Sequence, residues 1–124
     1  MANYYISQGI VSSGVVLSAW ETMTVTDGGI AESTTVSYFG NYYAKLYVSS
    51  GGKANNTVLN ISGFMYVSNG GTANHTTVSN GWMYVLDGGR AAHTTIYSYG
   101  RLNIVYGGRT TNTIVNNHGL MEVS

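Results

Sequence analysis

Hydrophobic positions along this chain recur in a frame set by paired glycines. Gly-Gly falls at 28–29, 51–52, 70–71, 88–89 and 107–108, at spacings of 23, 19, 18 and 19 residues, and Gln8-Gly9 stands one interval earlier as a degenerate copy. Counted from the first glycine of each pair, the fifth residue before it is Met23, Leu46, Met65, Met83 or Leu102. The third before it is Val25, Val48, Val67, Val85 or Ile104. After it come Ala31, Ala54, Ala73, Ala91 and Thr110, then Thr34, Thr57, Thr76, Thr94 and Thr113, then Val36, Leu59, Val78, Ile96 and Val115. Within a unit, Met65 and Val67 alternate with Tyr66, and Thr76 and Val78 alternate with Thr77. That is the period of two that marks a strand. No apolar run follows helical spacing. Each unit therefore predicts two short strands, separated by Gly-Gly and by Asn/Ser-Gly corners.

A unit this short cannot bury an apolar face by itself, whereas stacked units can. Stacking turns the Met/Leu, Val/Ile, Ala and Thr columns into continuous inward ladders at the ordinary inter-strand spacing of about 4.8 Å. The expectation is an all-β, right-handed parallel β-solenoid of about six coils with ~19 residues per coil. It forms one segment, with approximate units 3–20, 21–43, 44–62, 63–80, 81–99 and 100–118 and a partial unit at 119–124. The longest spacing puts about four extra residues near Gly40-Asn41-Tyr42-Tyr43, at a corner, where insertions cost least. A rival reading makes each unit a hairpin of a sandwich or a propeller blade, but propeller repeats run to about 40 residues or more.

Composition narrows the functional classes. Of 124 residues only 8% are charged, and five Lys+Arg balance five Asp+Glu. That leaves no footprint for nucleic acid or an anionic membrane. A hydrophobic content of 44% with eleven Tyr excludes a disordered chain, and seventeen Gly with no Pro exclude collagen. The absence of Cys removes disulfides, thiolate metal sites and cysteine nucleophiles. No apolar run is long enough to span a membrane. The opening MANYYISQGIVSSG has no Lys or Arg ahead of its weak apolar stretch and does not read as a signal peptide.

The unit from Gly63 to Gly81 reads G-x-M-Y-V-x-x-G-G-x-A-x-x-T-T-V-x-x-G. It resembles the AIDA-type repeat of bacterial autotransporter adhesins. The stretches that carry the likeness run from Val67 through Gly70-Gly71, Ala73 and Thr76 to Val78, and from Val85 through Asp87-Gly88-Gly89 to Ala91. The resemblance implies a right-handed solenoid passenger at the bacterial cell surface, used for adhesion, autoaggregation and biofilm formation. It also implies a glycosyltransferase partner that places heptose on repeat Ser and Thr. The chain departs from the pattern at Glu21 and Ala44, which replace the glycine opening the later units, and at Gln8-Gly9. It is expected to be a piece of a longer array.

The candidate interaction residues lie on the outward side of the Met/Val strands. Tyr47, Tyr66 and Tyr84 fall in one column, with Phe64 and Trp82 two positions earlier on the same face. Such a strip binds sugars or another solenoid, or simply stabilises the sheet by stacking. Lys53, Arg90 and Arg109 form a sparse basic stripe, interrupted by Thr72, suited to an anionic glycan or to solubilising a turn. His75 and His93 are equivalent in neighbouring units but share their column with Ser33, Asn56 and Asn112. Zinc usually takes three or four protein ligands, so these read as a surface pair, and the sequence names no partner for His118 in its Asn-rich corner. Asp27 and Asp87 precede the glycines instead of following them, which is the wrong order for the calcium nonapeptide. The other carboxylates are Glu21, Glu32 and Glu122. Asp27 and Asp87 are three coils apart, too far for a glycosidase pair at about 5–9.5 Å, while proximity of Glu32 to Asp27 stays open. Thr35, Ser37, Ser50, Ser68, Thr77, Ser79 and Thr95 point outward as sugar acceptors or as ordinary strand polar residues.

These observations lead to a non-catalytic, extracellular adhesion or self-association module with no cofactor, no metal and no catalytic residue. Its expected partners are a second copy of itself, surface glycans or proteins, and a glycosyltransferase. The alternatives are a passive stalk and a carbohydrate-binding or carbohydrate-acting β-helix.

Overall fold

The chain, described by a computed structural model over residues 3–18, 20–37, 43–61 and 63–124, is a parallel β-solenoid without helix. Three parallel sheets enclose one core, with seven strands in the first sheet and six in each of the others. The first sheet stacks the four-residue strands Asn3–Ile6, Thr22–Val25, Lys45–Val48, Phe64–Val67, Trp82–Val85, Arg101–Ile104 and Leu120–Val123. The second stacks Val11–Ser13, Ile30–Glu32, Lys53–Asn55, Thr72–Asn74, Arg90–Ala92 and Arg109–Thr111. The third stacks Val16–Leu17, Thr35–Val36, Val58–Leu59, Thr77–Ser79, Thr95–Tyr97 and Ile114–Val115. Six complete coils and one further strand result, and the pairing follows the Gly-Gly frame, Met65 lying beside Leu46 and Met83.

Each coil thus has three strands, not the two expected from the alternation. The sequence pattern merges the second and third because a single residue separates the last residue of one from the inward residue before the next, which is Thr in every coil but the first. In successive coils that residue is Gly14, Ser33, Asn56, His75, His93 and Asn112, each with φ between 52° and 71°. Asn and His tolerate this left-handed region better than most side chains. Its N–H also bonds across coils, as in His75 N–H to Ala92 O at 2.9 Å.

The corner between the first and second sheets explains the paired glycines, and Gly70-Gly71 shows how. The Gly71 N–H closes a turn onto Ser68 O at 2.6 Å, and Gly70 sits inside it at φ 83°. This is the positive-φ position that a type II turn gives to glycine. Gly71 is needed for a different reason. A Cβ there would collide with the Val48 carbonyl of the preceding coil. One glycine shapes the turn and the other lets two coils approach.

Length varies at the remaining corner, between the third and first sheets. It holds residues 80–81 in one coil and 60–63 in another, and the longest instance joins Thr35–Val36 to Lys45–Val48. The expected insertion therefore falls on this corner, although residues 38–42 lie outside the described residues.

The core is the stack of inward ladders. Met23, Leu46, Met65, Met83 and Leu102 are fully buried, as are Val25, Val48, Val67 and Val85 and the alanines Ala31, Ala54 and Ala73. Burying one Leu, Met or Val side chain contributes about 1.5–3 kcal/mol. The polar members are Thr34, Thr57, Thr76 and Thr94, whose buried hydroxyl groups find no hydrogen-bond partner among the described residues. In the last coil, where Thr110 replaces the alanine, its hydroxyl meets that of Thr113 at 2.7 Å.

Candidate interaction face

The outward side of the first sheet carries two columns. One runs Asn3, Thr22, Lys45, Phe64, Trp82, Arg101, Leu120, and the other Tyr5, Thr24, Tyr47, Tyr66, Tyr84, Asn103, Glu122. Parallel in-register pairing sets like residues one strand apart, and the rings use that spacing. Tyr47 and Tyr66 stack with centroids 5.2 Å apart at 13°, and Tyr66 and Tyr84 at 5.1 Å and 8°. Phe64 and Trp82 continue the layer at 6.0 Å, and each lies 6.4 Å from the Tyr two residues on. All five residues proposed from the sequence are therefore brought into one contiguous aromatic patch. Tyr47 is 37% exposed, and the other four are half-buried by each other.

Burial within the stack pushes the Tyr66 phenol above its ordinary value, with the neighbouring phenols of Tyr84 and Tyr47 adding to the effect. The Tyr66 hydroxyl is therefore an uncharged donor and acceptor at neutral pH. Two further residues belong to the patch. Tyr43 meets Phe64 edge to face at 5.3 Å, and the Arg101 guanidinium lies 5.0 Å from the Trp82 ring centroid. Arg101 was legible as the residue following Trp82 in its column. Tyr43 was not, since it stands beside the insertion.

The second sheet has a different exterior. Its first outward column is Val11, Ile30, Lys53, Thr72, Arg90, Arg109, so Arg90 and Arg109 are direct neighbours while Thr72 holds Lys53 apart. Its second column is Ser13, Glu32, Asn55, Asn74, Ala92, Thr111. There the Asn74 amide donates to the Asn55 oxygen, and the Asn55 amide to Glu32 Oε1, both at 3.1 Å. The ladder stops at Ala92.

The remaining candidates are dispersed. His75 and His93 stack at 4.8 Å and 6° beside Asn112, at the left-handed corner. No group of three or more metal-ligating side chains occurs among the described residues. Glu21 accepts the Ser18 N–H at 3.0 Å at the variable corner, Asp27 sits in a glycine turn at φ 48°, and Glu32 caps the amide ladder. These three carboxylates thus serve three separate local structures. Thr35, Ser37, Ser68, Thr77, Ser79 and Thr95 are half-buried, and Ser50 is exposed at its turn. No helix among the described residues is long and apolar enough to cross a membrane.

No protein-family model and no curated protein matches this chain. Among solved structures, the crystal structure of a TibA fragment hyper-glycosylated by TibC is similar, with a TM-score of 0.66 at 25% identity. The match covers 98% of this chain and 57% of the TibA fragment, so the chain spans little more than half of that structure. The likeness supports the AIDA-type resemblance of the repeat frame, because it extends over every coil.

Proposed function

We propose that the chain is a non-catalytic repeat segment of a bacterial cell-surface adhesin, and that it associates with a second copy through the aromatic face of the first sheet. The observation that carries the reading is the contiguous, solvent-facing stack of Tyr47, Phe64, Tyr66, Trp82 and Tyr84. Aromatic groups with an apolar ring and a polar tip favour interfaces. Lys45 and Arg101 flank the patch and Glu122 closes its far end, so a second copy turned about a two-fold axis sets opposite charges near each other. Repetition along an array multiplies weak contacts into avidity.

A glycosyltransferase partner belongs to the same reading. The similar TibA fragment is glycosylated by TibC, and outward hydroxyl groups such as Ser50, Thr77 and Thr95 supply acceptors here. The test is clumping of microspheres coated with the protein. Wild-type beads aggregate, and Tyr66→Ser with Tyr84→Ser disperses them while circular dichroism stays that of the solenoid. Beads that never clump favour a stalk.

A further inference from the structure

We propose that the paired arginines of the second sheet form a binding site for a carboxylate-bearing sugar residue, separate from the aromatic face and independent of the self-association reading. Arg90 and Arg109 are partners in the parallel ladder, one strand apart on the same side. Like charges directly opposite each other are unfavourable. Arg101 rests on the Trp82 ring, yet among the described residues neither Arg90 nor Arg109 has an ion-pair, hydrogen-bond or ring partner for its side chain. The two guanidinium groups are thus left available to an anion.

The floor of the site explains why it lies in this coil. In the coils before it, Asn55 and Asn74 fill the neighbouring column with hydrogen-bonded amides. Ala92 takes that place next, and a cavity of 330 Å³ opens above it between Arg90 and Arg109. Thr72 and Thr111 bring hydroxyl groups to its walls. The volume is at the lower end of the roughly 300–1,000 Å³ of ligand pockets, which suits one sugar unit. Guanidinium forks match a carboxylate bidentately, and the threonines offer partners for sugar hydroxyl groups. With no ring on this wall and no net positive charge on the chain, a nucleic-acid strand has neither stacking nor field to hold it.

The test is a titration of the protein with galacturonate, followed by backbone amide resonances, with galactose and inorganic sulfate as parallel probes. Galacturonate is expected to shift the amides of 89–92 and 108–111. Arg90→Gln or Arg109→Gln is expected to weaken binding about tenfold or more. Ala92→Asn, which keeps both charges and extends the amide ladder into the cavity, is expected to weaken it as much. Galactose is expected to leave these amides unmoved, and sulfate to compete only at large excess. Amides that do not respond to galacturonate, equal binding of galactose or sulfate, or undiminished binding by Ala92→Asn would each overturn the proposal. Bead clumping of Arg90→Gln should match wild type, so failure here is distinct from failure of the aromatic-face reading.

Discussion

The first and second sheets share one backbone pitch and one core, yet their exteriors are built from opposite chemistry. On the first, Tyr66 lies between Tyr47 and Tyr84 in a stack of rings. On the second, Asn74 and Asn55 run a chain of amides to Glu32. Both exploit the same geometric fact, that in-register parallel strands set equivalent side chains one strand spacing apart. The ring stack removes apolar surface from water and leaves a large exposed patch. The amide chain satisfies polar groups within the wall and leaves little to recognise. It becomes a candidate site only where Ala92 interrupts it. Recognition on this scaffold thus follows from which ladder is continued and which is broken.

The largest expected effect abolishes the comparison by removing the shared interior. Val67→Asp places an unpaired charge in a fully buried ladder, and since that costs several kcal/mol the protein is expected to lose its far-UV strand signal and cooperative melt. Intact folding would mean that the two faces of the first sheet are reversed. Met83→Ala is milder, at about 2–5 kcal/mol by denaturant titration, from lost burial and the cavity left behind.

The next pair of substitutions weighs the two exteriors against each other. Tyr66→Ser removes two stacked contacts at once and is expected to cost about 1–3 kcal/mol. Asn74→Ala breaks one amide link and is expected to cost about 0.5–1.5 kcal/mol. Thermal melts of the two variants rank the ladders, and an amide loss exceeding the aromatic one would make the polar wall, not the ring stack, the stronger of the two.

Proton titration sharpens the ring ladder further. The Tyr66 phenol is raised in the folded state, so its contribution is complete below the ordinary tyrosine range and is lost as pH climbs through its folded pKa. Ring-carbon resonances should show Tyr66 ionising above the ordinary tyrosine range, and Tyr84→Ser should bring it back towards that range. The smallest effect concerns the core. Thr76→Val removes a buried hydroxyl that has no partner and is expected to leave stability unchanged or raise it by about 1 kcal/mol. A loss comparable to that of Met83→Ala would reveal a water or backbone partner for the hydroxyl.

Much of this architecture is legible in the chain's repeat interval. A glycine that turns the chain and a second that admits a neighbouring carbonyl must recur once per coil, so Gly70-Gly71 and its copies mark the pitch. The alternation of Met65, Tyr66 and Val67 assigns inside and outside. From these two facts the aromatic residues can be placed in one patch. The third strand escapes notice although a clue is present. Ala73 and Thr76 are both buried yet stand three residues apart, which a single strand with a period of two cannot achieve. The corner between them is one residue, His75, and a corner of one residue leaves no run of loop-forming composition.

What the sequence determined by itself was the set of ladders, because each depends only on which residues recur at one coil's interval. Tertiary structure alone decided how neighbouring ladders meet. The edge contact of Tyr43 with Phe64 and the cavity where Ala92 ends the amide chain each join positions from different columns or from the variable corner. Their positions depend on the angle at which the chain turns each corner and the side on which each side chain leans. Neither quantity is encoded in a repeat interval.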